Sequence, residues 1–266
     1  MPEYEFLQFE INDHVAWITM DRPAVLNAIH PPMQAELDDA WKQVRDDDDI
    51  WVGVITGAGD RAFSAGSDLK WRASQTDEDI REHSRAGVQE AEAVGFQRGS
   101  DCWKPLVAMI NGYAVGGGLE VALGCDLLIA AETAKLGLPE ARRGLLADAG
   151  GIHRLTRRIP WHAALGMLLT GRLVDAAEAQ TFGLLHEVVP ATALRSATQR
   201  WVDEIRACGP LSLRAAKEAA VCGAGLPLAE AMVADFPQAK VLRASADFVE
   251  GPRAFADKHV PEWTGR

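Results

Sequence analysis

Most of what the sequence predicts about the fold depends on one stretch, Asn111-Gly112-Tyr113-Ala114-Val115-Gly116-Gly117-Gly118-Leu119-Glu120. It follows a short apolar run, Leu106 to Ile110, which is typical of a buried strand. Three consecutive glycines permit positive φ and close approach of a ligand, and a helix that begins there leaves N–H donors free. The pattern therefore predicts a strand, a glycine turn and a helix start whose donors can face a developing negative charge.

Glu120 follows the glycines by two residues, about half a helical turn beyond the predicted donors. A carboxylate at that place can act as an acid or a base beside an oxyanion hole. Glycine runs also form plain turns, and an acid in a first helical turn also complements the helix dipole. This stretch alone leaves both interpretations open.

Composition restricts the class of protein. The chain has 266 residues, of which 48% are hydrophobic, enough for one large α/β domain with a substantial core. Its net charge of -11 argues against nucleic acid as a partner, because duplex binding needs a basic face. The acidic run Asp46 to Asp49 is interpreted as a solvated connection rather than a metal site.

Cysteine and histidine spacing gives no sign of a metal site or a disulfide framework. The cysteines lie far apart and the histidines match no ligand motif. The first ten residues do not resemble a signal peptide, and no apolar run is long enough to span a membrane. We therefore expect a cytoplasmic protein with no membrane association.

Hydrophobic patterning predicts repeated ββα units in the first half. Phe6 to Glu10 and His14 to Met20 form a hairpin around Asn12-Asp13, Pro31-Pro32 opens a helix, and Ile50 to Thr56 is a buried strand. The order strand, glycine loop and helix then recurs about 50 residues later, and further strands are predicted at 127–131 and 135–137. We expect an α/β fold of stacked ββα units.

The second half is predicted to be mainly helical. We expect the core to cover residues 1–200 and a helical region for packing and oligomerisation to cover residues 201–266. Breaks are expected at prolines and glycines, including Gly251-Pro252. The predicted helices are Ile152–Arg158, Trp161–Thr170, Ala176–Thr181, Leu194–Ala207, Leu211–Cys222, Leu228–Ala246 and a short one over Arg253–Lys258.

A second loop, Phe63 to Lys70, follows the predicted strand that ends near Thr56. Gly66 can bend the chain so that the Ser67 N–H points into a cleft, where it would pair with the Gly117 N–H on one carbonyl oxygen. The alternative is a turn in which Asp68 caps the next helix. No nucleophile-elbow motif accompanies these serines.

Two further acids lie at turns. Glu140 follows Pro139, and Asp148 precedes a predicted helix that it could simply cap. If two acids converge in an apolar pocket, one is held protonated and the other ionised, which supports acid–base chemistry.

Taken together, these segments resemble the crotonase, or enoyl-CoA hydratase/isomerase, superfamily. The resemblance extends over nearly the whole chain, and its segments are Arg22–Ala28, Ala62–Lys70, Lys104–Asp126, Pro139-Glu140 with Gly144, Ala149–Arg157, Leu169–Arg172 and Glu250–Phe255.

The resemblance implies a crotonase-like ββα superhelix, a C-terminal helical region and a homotrimer or homohexamer. It assigns the oxyanion hole to Ser67 and Gly117, which would hold the thioester oxygen of an acyl-CoA substrate without a prosthetic group or metal. Glu140 would exchange the proton at Cα, and Glu120 would activate the water that adds to Cβ.

The resemblance also implies contacts with coenzyme A. Phe255 and Lys258 match positions that often reach the ligand in such proteins, sometimes from a neighbouring subunit. Lys70 lies near the expected adenosine-phosphate region, and Ala24 replaces a common basic residue. The implied contact residues are Arg22, Val25, Arg61, Ala65, Ser67, Asp68, Leu69, Gly117, Phe255 and Lys258.

Two departures leave the reaction open. Ser67 replaces the commoner Ala, and Asp148 stands where simple hydratases often have Gly, as in dienoyl-CoA isomerases and carnitinyl-CoA dehydratases. Three functions therefore stay open: a 2-enoyl-CoA hydratase, an isomerase or dehydratase that uses Asp148, and a non-catalytic acyl-CoA-binding or assembly protein. The segment from Trp71 to Trp103 is expected to line the acyl pocket and to be mobile, because its glycines weaken a helix.

Overall fold

A computed structural model describes residues 3–79, 95–99 and 101–266. The strands are β1 (Leu7–Asn12), β2 (Val15–Met20), β3 (Val52–Gly57), β4 (Ala62–Ser64), β5 (Leu106–Ile110), β6 (Tyr113–Val115), β7 (Leu127–Ala131), β8 (Lys135–Gly137), β9 (Val174–Asp175) and β10 (Glu187–Val189). The helices are α1 (Pro31–Asp46), α2 (Leu69–Ala73), α3 (Gly95–Arg98), α4 (Gly117–Gly124), α5 (Gly151–Arg158), α6 (Trp161–Thr170), α7 (Ala176–Thr181), α8 (Leu194–Arg206), α9 (Pro210–Gly223), α10 (Leu228–Ala231), α11 (Pro237–Ala244) and α12 (Asp247–Asp257).

Two sheets run side by side through the fold. The larger has the order β1-β2-β3-β5-β7-β10 and the smaller has the order β4-β6-β8-β9. The pairs β3/β4, β5/β6 and β7/β8 each give one strand to each sheet, and these strands pair in parallel with their counterparts in the next unit. This stacking confirms the predicted α/β fold of ββα units, although the unit that starts at Val52 is much longer than the one that starts at Leu106.

The first unit begins with the β1–β2 hairpin. Its turn residues are Asp13 and His14, with φ of 51° and 65°, so the predicted turn at Asn12-Asp13 is one residue too early. Two consecutive positive φ values are those of a type I′ turn, whose twist matches antiparallel strands. Helix α1 then begins at the predicted prolines and buries Met33, Leu37 and Trp41 in the main core.

Helix α4 lies in the centre of the molecule. Every residue from Gly117 to Leu123 is buried, and the helix packs against α3, α5, β4 and β6. A short helix that is apolar on all sides is expected only in a core. The first turn of α4 is therefore held from several directions, which fixes where its free N–H groups point.

Two helix predictions in the C-terminal region are wrong. The single helix expected over Leu228–Ala246 is divided into α10 and α11, because Pro237 requires an extended Phe236 before it (ψ 121°) and then starts a new helix. The expected break at Gly251-Pro252 is absent, since α12 runs through it at the loss of one intrahelical hydrogen bond. The Asp247 carboxylate fixes the start of α12 by accepting hydrogen bonds from the N–H groups of Thr264 and Gly265.

Helix α8 covers the face of the large sheet opposite the main core. Its Leu194, Ala197 and Val202 pack with β3, β5 and β7 in a second apolar cluster. Residue 200 lies inside this helix, and the division into 1–200 and 201–266 stays a prediction. Within the described ranges, no helix is both long and apolar enough to cross a membrane. About half of the predicted mobile segment, residues 80–94 and 100, lies outside the described residues.

Candidate active site

The loop after β4 meets the start of α4 at a glycine. Gly66 has φ 83°, and a Cβ placed on it would lie 2.6 Å from the Val115 carbonyl oxygen and 2.8 Å from the Gly117 nitrogen. Both the conformation and the lack of space require glycine there. The predicted bend at Gly66 is confirmed, and it brings the Ser67 and Gly117 segments together.

Two buried polar side chains hold that loop in place. Asn27 has φ 53°, a left-handed conformation that asparagine tolerates, and its Nδ2 donates to the Ala62 carbonyl at 2.8 Å. Ser64 Oγ donates to the Asn27 carbonyl at 2.7 Å and accepts from the Gly66 N–H at 3.1 Å. Neither residue was predicted to hold the loop, because the hydrogen bonds that tie Asn27 to the Ala58 and Ala62 carbonyls and Ser64 to the Asn27 carbonyl join residues 31 or more positions apart.

The start of α4 supplies the second donor. Gly116 is the N-cap, with φ 56° and ψ −130°, and its N–H donates to the Gly137 carbonyl at 2.9 Å. Among the described residues, the N–H groups of Ser67 and Gly117 have no hydrogen-bond acceptor. These two free donors face a common cleft, which is the arrangement required of an oxyanion hole.

Gln97 is a neighbour of the donors that was not predicted from the sequence. Its Nε2 donates to the Gly117 carbonyl at 3.0 Å, so it orients the peptide that follows the second donor. Arg154 holds this segment from α5 by donating to the carbonyl oxygens of Gln97 and Gly99. The contact joins parts of the chain that no local pattern connects.

Glu140 lies directly opposite the glycine turn. It begins a 3₁₀ helix, Glu140–Arg143, and its Oε1 would lie 3.0 Å from a Cβ placed on Gly116. Its Oε2 is buried and has no hydrogen-bond partner among the described residues. Burial raises the pKa of Glu140 above its usual value. A carboxyl group with an unused oxygen beside an oxyanion hole is available for proton transfer to a bound molecule.

Glu120 is buried behind the glycine turn, with 4% of its surface exposed. Its Oε1 accepts a hydrogen bond from the Gly151 N–H at 2.9 Å, so it serves a neighbouring helix start rather than only the dipole of its own helix. Burial, with smaller contributions from the charges of Glu140 and Asp148, raises the pKa of Glu120 from 4.5 to about 7. The charge of Glu140 therefore opposes the ionisation of Glu120, as expected of two acids that converge.

Asp148 is exposed and close to both glutamates. Its charge raises the pKa of Glu120 and of Glu140. The expectation that Asp148 caps α5 is wrong, because the N-cap of α5 is Gly150 and the carboxylate that accepts a hydrogen bond from the start of this helix is that of Glu120. The turn at Gly150 has φ 106°, which only glycine adopts readily, and this conformation carries the chain into α5 instead.

The free donors and Glu140 open onto one cleft. Glu120 and Asp148 are not among the described residues that line it, whereas Arg143 and Leu145 line it without having been predicted. The local sequence sign of Arg143 was its position three residues after Glu140. The lining residues are Ala65, Ser67, Leu69, Val115, Gly116, Gly117, Pro139, Glu140, Arg143 and Leu145.

Asp68 has the structural role that the sequence offered as one alternative. Its carboxylate accepts a hydrogen bond from the Trp71 N–H at 3.0 Å and so caps α2. The same carboxylate pairs with Arg22 at 3.1 Å, and the Arg22 guanidinium also donates to the Ala28 carbonyl. This arrangement anchors the donor loop to the segment that contains Asn27.

The other predicted coenzyme contacts are divided between two places. Val25, Arg61 and Lys70 are exposed near the donor loop, and Arg61 Nη2 donates to the Pro23 carbonyl at 3.0 Å. Phe255 and Lys258 lie on the exposed end of α12 and do not belong to the described lining of the cleft. In the described part of the chain, no group of three acidic, histidine or cysteine side chains is placed to hold a metal ion.

The stacked ββα fold places two free donors beside one buried and one half-buried carboxyl group, and an oxyanion hole, which stabilises negative charge on a carbonyl oxygen, needs such donors. The profile of the enoyl-CoA hydratase/isomerase family matches residues 10–266. The chain belongs to this family, the crotonase superfamily.

Relatives with known names cover nearly the whole chain. (E)-Benzylidenesuccinyl-CoA hydratase of Thauera aromatica is 40% identical over 96% of this chain and 98% of its own. Carnitinyl-CoA dehydratase of Proteus mirabilis is 39% identical over 94% of each chain. The solved enoyl-CoA hydratase of Bacillus anthracis superposes with a TM-score of 0.90 at 32% identity, covering 98% of this chain and 100% of its own.

Proposed function

We propose that the chain catalyses the reversible hydration of a 2-enoyl-CoA to a 3-hydroxyacyl-CoA. The observation that carries this proposal is the unpartnered Glu140 oxygen, with buried Glu120 behind it, opposite the two free N–H donors. The names of the relatives, hydratase and dehydratase of acyl-CoA compounds, support it.

The donors account for activation of the substrate. The thioester carbonyl oxygen accepts hydrogen bonds from the Ser67 and Gly117 N–H groups. These bonds become stronger as negative charge moves onto that oxygen, and one such donor is worth about 3 kcal/mol in a transition state. Cβ of the conjugated thioester thereby becomes electrophilic.

The carboxyl groups account for the proton movements. Water bonds through its oxygen to Cβ and gives a proton to ionised Glu120, while protonated Glu140 gives its proton to Cα. Hydration thus leaves Glu120 protonated and Glu140 ionised, and dehydration reverses each transfer. The raised pKa of both groups suits a pair that holds one proton near neutral pH.

The direct test follows the conjugated thioester absorbance of crotonyl-CoA and longer 2-enoyl-CoAs after addition of purified protein. Loss of absorbance that reaches the same equilibrium from the 3-hydroxyacyl-CoA side supports the proposal. Binding of these esters without any turnover would instead support a non-catalytic acyl-CoA-binding protein. If the protein neither binds nor converts the esters, both the enzyme proposal and the binding-protein alternative are overturned.

A second candidate is an isomerase or dehydratase reaction that uses Asp148, and the closeness of its charge to both glutamates favours it. We expect Asp148→Asn to lower kcat for hydration only about two- to fivefold, because the side chain is exposed and acts through a screened charge. Steady-state kinetics on crotonyl-CoA provide the measurement. Loss of nearly all turnover in a folded variant would make Asp148 the third catalytic acid.

We propose that coenzyme A lies along Arg22, Val25, Arg61, Ala65, Ser67, Asp68, Leu69 and Gly117, with Phe255 and Lys258 contributed by a neighbouring subunit. Phosphates on the ligand need local cations in a chain of net charge -11. Arg61 and Lys70 supply them at the exposed rim of the donor loop.

The same proposal requires assembly into a trimer or hexamer. Large apolar side chains are exposed in the C-terminal region, and a monomer rarely leaves so many uncovered. We expect sedimentation velocity to give three or six times the chain mass, and a monomer at micromolar concentration would contradict this. The residues are Leu228, Met232, Val233, Phe255 and Val260, each at least 77% exposed.

A further inference from the structure

Arg143 is the cationic side chain among the described residues that line the cleft. It ends the 3₁₀ helix that Glu140 begins, and residues three apart in such a helix lie on the same face. Arg143 is therefore one turn farther along the wall that carries Glu140. Its positive charge lowers the pKa of Glu140, against the larger effect of burial, which shows that the two groups are close.

Arg143 has no acidic partner within salt-bridge distance in the described part of the chain. Its one hydrogen bond, from Nη1 to the Pro139 carbonyl, is long at 3.4 Å. The adjacent lining residues Pro139 and Leu145 offer no charge. Arg143 is exposed to solvent, and a bound acyl-CoA would remove water from a guanidinium that makes no salt bridge within the described ranges.

Arg142 shows by contrast what a structural arginine does here. Its Nε donates to the Thr170 carbonyl at 2.6 Å, and its side-chain stem packs against Gly171 at the end of α6. Arg142 is not among the lining residues. The two neighbouring arginines thus have separate roles, and Arg142 provides a matched control.

We propose that Arg143 binds an anionic group on the acyl chain, so that the preferred substrate is a 2-enoyl-CoA that carries a carboxylate beyond the reacting carbons. This inference rests on the proposed function, because it places the thioester oxygen at Ser67 and Gly117 and Cα at Glu140. The acyl chain then continues along the wall towards Arg143. A guanidinium binds a carboxylate through two parallel N–H···O bonds, which fixes the chain as well as neutralising it.

Two other roles for Arg143 predict different results. A contact with a coenzyme A phosphate would act equally on every acyl-CoA, because all of them share that group. A role limited to the ionisation of Glu140 would change kcat and its pH profile for every substrate. Only an acyl-carboxylate contact depends on what lies at the far end of the acyl group.

The kinetic test compares glutaconyl-CoA with trans-2-pentenoyl-CoA, which have the same chain length and differ by a carboxylate in place of the terminal methyl group. We expect the wild type to prefer glutaconyl-CoA in kcat/KM, and the loss caused by Arg143→Gln to be about tenfold larger on glutaconyl-CoA than on pentenoyl-CoA, because any change that acts through Glu140 is common to both substrates. Arg142→Gln should keep the wild-type preference. Equal losses of Arg143→Gln on both substrates would overturn the proposal.

A binding test separates this inference from the proposed function. Calorimetry with the saturated esters glutaryl-CoA and pentanoyl-CoA needs no turnover. We expect the wild type to bind glutaryl-CoA more tightly than pentanoyl-CoA, and Arg143→Gln to bind them equally. If the wild type binds glutaryl-CoA and pentanoyl-CoA equally, the role of Arg143 is overturned even if hydration is observed. If the wild type prefers glutaryl-CoA but hydrates no 2-enoyl-CoA, only the proposed reaction is overturned.

Discussion

Glu140→Gln is expected to lower kcat for hydration of a 2-enoyl-CoA about 10³- to 10⁴-fold, the upper range for loss of a general acid–base group. Its carboxyl group lines the cleft beside the free donors, and its unpartnered Oε2 has no structural hydrogen bond to lose. An amide of the same shape cannot deliver a proton to Cα. Stopped-flow or steady-state absorbance of crotonyl-CoA gives the rate.

The affinity for substrate should change little in this variant, because the oxyanion donors and the coenzyme contacts are intact. Calorimetry with a saturated acyl-CoA measures that affinity, and the far-UV circular dichroism spectrum shows whether the fold is kept. A Glu140→Gln protein that binds normally and retains more than about a tenth of the wild-type kcat would remove Glu140 from the mechanism.

Glu120→Gln is expected to lower kcat about 10²- to 10³-fold, because the group that accepts the proton of the attacking water is lost. The amide oxygen can still accept the hydrogen bond from the Gly151 N–H, so the buried site remains satisfied. The small residual rate should lack the titration near pH 7 that we expect Glu120 to cause in the wild type. The measurement is the pH profile of kcat between pH 5 and 9, and an unchanged profile with normal kcat would contradict the assignment.

The same substitution should stabilise the fold at neutral and higher pH. Burial raises the pKa of Glu120 from 4.5 to about 7, so its contribution to stability is fully present below pH 4.5 and is lost as the pH rises through 7. Gln stays neutral, and the free energy of unfolding of the variant should exceed that of the wild type by about 3 kcal/mol at pH 8, but not at pH 4. Urea unfolding of both proteins at the two pH values measures this difference. If the variant and the wild type have equal free energies of unfolding at both pH values, burial does not raise the pKa of Glu120.

The sequence predicts best the features that depend on neighbours along the chain. The glycine run, the helix at Pro31-Pro32 and the apolar strand Leu106–Ile110 all have local patterns that the structure reproduces. Gly66 could also be anticipated, since a bend before Ser67 needs a residue that accepts positive φ. The pairing of Ser67 with Gly117 was one of two interpretations of the Gly66 loop until the family resemblance favoured it, because no local pattern connects residues so distant in sequence.

The remaining parts of the site depend on contacts between distant segments. Asn27 holds the donor loop through carbonyl groups on β4 and its preceding turn, and Gln97 reaches the Gly117 carbonyl from α3. Arg143 and Arg142 are chemically identical neighbours, and only the fold turns one towards the cleft and the other towards α6. The prediction of a helix break at Gly251-Pro252 was wrong for a similar reason. Asp247 and the C-terminal residues stabilise a helix that local sequence preference would end there.

The central claim is that two donors and two glutamates add water across a conjugated thioester. Its most direct test is incubation of crotonyl-CoA with the protein in a mixture of ¹⁸O-labelled water and D₂O, followed by mass spectrometry of the acyl group. We predict one solvent oxygen at Cβ and one solvent hydrogen at Cα in the product. Solvent hydrogen at Cα or a moved double bond, without any oxygen at Cβ, would contradict this account and assign the site to isomerisation.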